Sequence, residues 1–136
     1  MSTLADVRLI PRQRLNDPRG WFLKVFKGDE EGLPNQMGEI YLAVADPGEV
    51  RGSHYHPSAS EWFTVVLGSA QLRLLDPISG ERQELALSAA TPVTVYVPAG
   101  IGHAFINPTD ATQPMMVIAY ADRPYDPADT IPVELS

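Results

Sequence analysis

Apolar residues along this chain recur mostly with a period of two. Val93, Val95 and Val97 share one face of a short run, with Thr94 and Tyr96 on the other. Ala70, Leu72 and Leu74 do the same opposite Gln71 and Arg73. Runs rich in Val, Leu, Ile, Thr and aromatics predict strands near 7–10, 20–26, 39–45, 51–56, 61–67, 70–75, 82–87, 93–97, 103–106 and 115–121. The 10 glycines and 13 prolines are spread between these runs and punctuate them. Asp76-Pro77-Ile78-Ser79-Gly80 separates two alternating segments, so it should close a hairpin. No stretch of useful length carries a capped helical period. The pattern therefore predicts an all-β domain, a sandwich or barrel. The tail, 123–136, is rich in Pro and Asp and should lie on the surface.

Composition narrows the function. A length of 136 residues suits one domain, 1–136, with a full core. The chain has no cysteine, which excludes disulfides, thiolate metal sites and cysteine nucleophiles. No apolar run approaches the ~20 residues of a membrane helix, and the first residues lack an apolar signal core. The expectation is a cytoplasmic protein that does not engage a membrane. A net charge of −7 argues against nucleic-acid binding, which needs a basic footprint, but leaves room for a small anion held by a few arginines.

All three histidines fall in two places. His54 and His56 are two apart, so on a strand both imidazoles project into one cavity, with Tyr55 on the opposite side. A turn at 57–60 leads to Glu61, which an antiparallel neighbour would bring beside the pair. His103 follows the Pro98-Ala99-Gly100 turn and must arrive from elsewhere in the barrel. Three imidazoles and one carboxylate suit a divalent transition metal and leave positions open for a substrate oxygen. An isolated His-x-His on a strand is weak as a signal. The set of His54, His56, Glu61 and His103 within glycine and proline punctuation is stronger.

At these residues the chain resembles the cupin superfamily. Gly48, His54, His56, Glu61 and Gly68 fit the first cupin motif, G-x5-H-x-H-x4-E-x6-G, and Pro98, Gly100, His103 and Asn107 fit the second. Pro92 stands where the second motif opens on glycine. The resemblance implies a cupin double-stranded β-helix, or jelly-roll, barrel. A narrower one covers Asp17-Pro18-Arg19-Gly20-Trp21-Phe22, Arg51-Gly52-Ser53-His54-Tyr55 and Tyr125-Asp126-Pro127, which look like dTDP-4-dehydrorhamnose 3,5-epimerase. The run 51–61 and Asp129-Thr130-Ile131 also resemble the zinc-binding cupin domain of capsular-polysaccharide epimerase/reductases.

These resemblances imply a sugar-nucleotide substrate, an epimerase or keto-isomerase reaction beside a ketone, and a homodimer paired through an N-terminal strand such as 7–10. They imply His54 as general base and Tyr120 as the catalytic tyrosine. Arg19 and Arg51 are the candidate diphosphate contacts, since arginine binds phosphate bidentately. In the metal-free epimerases, position 56 is glutamine and a lysine follows the base. Here His56 and Glu61 stand instead, and Trp62, Phe63 and Thr64 occupy the lysine's stretch. A divalent ion, zinc first and iron, nickel or manganese as alternatives, would polarise the keto oxygen in the lysine's place. An imidazole on a metal is not free to take a proton, so Tyr55, Tyr120 and Tyr125 become candidates for moving it. A metal cupin oxygenase and a non-catalytic sugar-binding cupin are the competing readings, because fold alone does not set the reaction.

Overall fold

The structure is a computed structural model that describes residues 2–18, 20–35 and 38–135. Its described residues form the strands β1 (Arg8–Pro11), β2 (Arg14–Asp17), β3 (Gly20–Leu23), β4 (Glu39–Ala45), β5 (Val50–Tyr55), β6 (Glu61–Leu67), β7 (Ser69–Leu75), β8 (Arg82–Ser88), β9 (Val93–Val97), β10 (Gly102–Ile106), β11 (Met115–Ala121) and β12 (Ile131–Pro132). One antiparallel sheet has the order β1-β9-β6-β11-β4, and the other β12-β5-β10-β7-β8. β2 and β3 form a separate hairpin. The described residues contain only two single turns of 3-10 helix, Leu4–Asp6 and Pro127–Asp129.

The two sheets face each other as a jelly-roll. Phe63, Val65, Val95, Val97, Val117 and Ala119 of the first sheet pack on Leu72, Leu74, Leu87 and Phe105 of the second. The alternation seen in the sequence delivers these side chains to the interior because each of the strands that carries them turns one apolar face inward. The expected hairpin at 76–80 joins β7 to β8, with the Asp76 side chain accepting the Ile78 N–H at 3.0 Å.

Three expectations need correction. β2 and β12 lie outside the predicted strands. Each is short, and β12 contains a proline, which an edge strand tolerates. The strand expected over 20–26 ends at Leu23. Beyond it the chain folds over the outer face of the first sheet, and Thr94, on the polar side of its strand, becomes fully buried. There the Thr94 hydroxyl accepts from Arg12 Nε at 2.9 Å, and Arg12 Nη2 lies 2.6 Å from Glu30 Oε2. Trp62, also on this outer face, packs against Phe26, Tyr96 and Tyr120.

Candidate metal centre

A bulge in β5 aims the first histidine. His54 pairs with His103 across β10, but Ala104 pairs with Gly52, so Ser53 is the extra residue. Gly52 has φ +92° and Ser53 φ +69°. A Cβ at Gly52 would sit 2.9 Å from the His103 carbonyl oxygen, so this approach of β5 to β10 excludes a side chain. The tail holds the bulge: Ser53 Oγ donates to the Val133 carbonyl at 2.6 Å. The three imidazoles then converge, with ring centroids 4.7 Å apart for His54 and His56, 4.9 Å for His54 and His103, and 5.6 Å for His56 and His103. One ring nitrogen from each lies within 4.8 Å of the others.

Glu61 opens β6 on the same side. Its Oε1 is 3.0 Å from His56 Nε2 and 3.6 Å from His103 Nε2, yet it accepts no well-aligned hydrogen bond. Its Oε2 accepts from the Tyr41 hydroxyl at 2.6 Å. Backbone carbonyls orient two of the rings. His56 Nδ1 lies 2.9 Å from the Asp129 carbonyl, and His103 Nδ1 lies 3.4 Å from that of Ile101. A carbonyl only accepts, so Nδ1 carries the hydrogen and, in the neutral ring, Nε2 offers its lone pair toward Glu61. Lone pairs and a carboxylate facing one another in a buried space are stabilised by positive charge between them, a shared proton or a bound cation. A divalent ion satisfies all of them at once, so the donor set fits such a group.

The charges agree with this arrangement. Burial, aided by the neighbouring histidines, holds His103 down to about 4 against the pull of Glu61. Burial and the charge of His56 also lower His54. For His56 burial acts downward too, but Glu61 and the Asp129 carbonyl outweigh it and raise the value. Burial alone would raise Glu61, whereas the His56 contact, the His103 charge and the Tyr41 hydrogen bond bring it below its ordinary value. Burial first, and Glu61 second, push the Tyr41 phenol upward, so it stays protonated and donates.

Two cavities reach the cluster. One, of about 260 Å³, is bordered by Tyr41, His54, His56 and Glu61, and at its mouth by Arg123 and Tyr125. The other, of about 310 Å³, is bordered by Tyr41, His54, His103, Phe63, Phe105 and Arg51. Arg51 donates from Nε to the Val44 carbonyl at 2.6 Å, which links β5 of one sheet to β4 of the other. Arg19 falls outside the described residues.

Tyr120 is not brought to the histidines, which corrects the expectation of a catalytic role there. Val117 and Ala119 face the core, so Tyr120 alternates outward against Phe26, and its hydroxyl accepts the Gly38 N–H at 3.0 Å. The reading from the residues also missed Tyr41, Arg123 and the Asp129 carbonyl. Tyr41 left a signal, as the one hydroxyl on a strand face otherwise made of Glu39, Ala43 and Ala45. Arg123 left none beyond its place in a polar tail, and Asp129 entered only through the resemblance of Asp129-Thr130-Ile131.

Comparison with known proteins agrees with this fold and site. The profile of the polysaccharide biosynthesis C-terminal domain matches residues 15–131. The chain belongs to that family. A curated relative, UDP-2-acetamido-2,6-beta-L-arabino-hexul-4-ose reductase of Pseudomonas aeruginosa, is 29% identical over 111 residues, which is 82% of this chain. The chain spans only 28% of that relative's length. NovW, a 4-keto-6-deoxy sugar epimerase from the novobiocin cluster of Streptomyces spheroides, superposes with a TM-score of 0.78 at 27% identity, covering 91% of this chain and 67% of its own. The capsular polysaccharide assembling protein CapF of Staphylococcus aureus gives a TM-score of 0.68 at 27% identity, over 92% of this chain and 33% of its own. The cupin jelly-roll expected from the histidine motifs is thus the fold that this family member adopts. No helix among its described residues is long and apolar enough to cross a membrane.

Proposed function

We propose that this domain is a metal-dependent epimerase or keto-isomerase acting on a 4-keto-deoxysugar nucleotide. The observation that carries the reading is the buried Glu61 Oε1, close to two imidazole nitrogens without an aligned hydrogen bond. The names of the related epimerase and hexulose reductase support the substrate class. Hydride transfer is not carried over from that reductase, because the described residues form antiparallel sheets with no strand–turn–helix unit for a dinucleotide.

In this reading His54, His56, His103 and Glu61 Oε1 hold the ion, zinc first. When bound, a divalent ion supplies a Lewis acid that favours enolate charge on a keto oxygen. Arg51, at the mouth of the second cavity, takes the diphosphate, and Arg19 keeps the same assignment from its motif. His54 borders both cavities and carries two assignments, ligand and general base. One imidazole cannot do both at once. A sugar-nucleotide substrate supports a cytoplasmic location, and the free edge of β1, which pairs with β9 of its own chain, is the surface proposed for a homodimer.

The test is proton exchange at the carbons beside the ketone, in deuterated solvent, with a 4-keto-6-deoxysugar nucleotide. Exchange with zinc present and its loss on chelation is the expected result. The absence of exchange under every metal tried removes the proposal. His54→Gln separates the two roles of that residue. Loss of zinc together with exchange makes it a ligand, and loss of exchange alone makes it the base. A binding domain without turnover is the second reading. It is favoured by the absence of lysine from either cavity and by the outward face of Tyr120. Saturable sugar-nucleotide binding without exchange decides for it.

A further inference from the structure

Tyr41 stands on β4, two strands from Glu61 in the same sheet, with β11 between them. Its Cα partner on β11 is Ala119, and the partner of Glu61 is Ala121. These small side chains leave room for the phenol to cross the intervening strand and reach the carboxylate. The resulting O–H···O contact of 2.6 Å is in the range of a charge-assisted hydrogen bond. Among the described residues no other donor is aligned with Glu61 Oε2, and Oε1 is left facing His56 and His103. The Glu61 side chain is 4% exposed, which raises the cost of leaving either oxygen unmatched.

We propose that Tyr41 is a positioning residue that occupies one oxygen of Glu61 and thereby presents the other to the histidine cluster. This rests on the metal-binding reading above and adds to it the residue that sets the carboxylate's orientation. Without the hydroxyl, the terminal torsion of Glu61 loses its restraint, and its two oxygens compete for the histidine side. The phenol acts through Glu61, so its effect depends on Glu61 being a carboxylate.

The test is a double-mutant cycle read by zinc affinity, using competition with a chromogenic chelator on wild type, Tyr41→Phe, Glu61→Gln and the double variant. Phenylalanine keeps the ring and removes the hydroxyl, and the thermal midpoint of the metal-free variants checks that each is folded. Tyr41→Phe should weaken zinc binding by about 10- to 100-fold, the usual scale for losing a partner of a metal ligand. The same change in the Glu61→Gln background should move affinity by less than about twofold, since the effect needs the carboxylate. A packing role predicts the same factor in both backgrounds, and that result overturns the proposal. So does zinc affinity in Tyr41→Phe equal to wild type. A wild-type protein that takes up no divalent ion removes the metal reading first, and this inference falls with it.

Discussion

Glu30 and Glu61 are both buried against the first sheet, one on its outer face and one inside the barrel, with side chains 2% and 4% exposed. Glu30 is fully enclosed by donors. Its Oε1 accepts from Gly28 N at 2.9 Å and Lys27 N at 3.1 Å, and its Oε2 from Arg12 Nη2 at 2.6 Å. Glu61 has one oxygen bonded to Tyr41 and the other without an aligned hydrogen bond beside two imidazoles. A buried carboxylate with every lone pair matched holds the fold together. One left open at a cluster of nitrogen donors is arranged for something that arrives later. The difference separates an acid matched within the fold from the acid proposed as a metal ligand.

The largest expected effects come from exchanging the two acids one at a time. Glu61→Gln should weaken zinc binding by more than about 100-fold, since a ligand charge is removed, while changing the stability of the metal-free protein by under about 1 kcal/mol. Glu30→Gln should do the reverse. It leaves zinc affinity at the wild-type value and lowers unfolding stability by about 3–5 kcal/mol, because Arg12 is left buried without its partner. Chelator competition and urea unfolding read the two effects. Zinc loss in Glu30→Gln breaks the comparison.

A smaller effect lies in acid. Burial alone would raise the Glu30 pKa, but Arg12 and the backbone N–H groups of Lys27 and Gly28 bring it below its ordinary value of 4.5. A carboxyl depressed on folding stabilises above its unfolded value, and that stabilisation is lost as pH falls through the folded one. The stability gap between wild type and Glu30→Gln should therefore hold near neutrality and narrow below pH 4.5. Urea midpoints across that range measure it, and a gap that widens in acid contradicts the pairing.

The smallest effect sharpens the inside-outside distinction. Tyr120→Phe removes a hydroxyl that accepts the Gly38 N–H on the outer face. It should cost about 1 kcal/mol of stability and leave deuterium exchange within about twofold of wild type. A collapse of exchange would return the catalytic role to this tyrosine.

Most of the strands were legible in the residues. β4, β6, β9 and β11 fall on the predicted ranges, because period-two alternation is a local property that each strand carries by itself. The histidine and glutamate positions were legible as well, since spacing two apart and a turn before Glu61 constrain direction over short distances. Thr94 stands on the face the alternation gave it, but its burial was not legible, because whether the second face of a strand meets water depends on a segment elsewhere, here Arg12 and the chain around Glu30. Tyr120 was misplaced for a related reason. It was assigned by resemblance and not by a motif of its own, and one residue on a strand exchanges the inner face for the outer.

The amino-acid sequence by itself determined an all-β sandwich or barrel and named the four side chains around the candidate centre, while the jelly-roll came only with the cupin resemblance. The first two follow from chain-local periodicity and spacing. Tertiary structure alone decided which atoms face which. It put the Asp129 carbonyl, 73 positions from His56, on that ring's Nδ1, and it carried the Tyr41 hydroxyl across β11 to Glu61. Those contacts join residues distant in the chain. They exist only after the sheets have closed, when burial makes each unmatched polar atom costly enough to fix its partner.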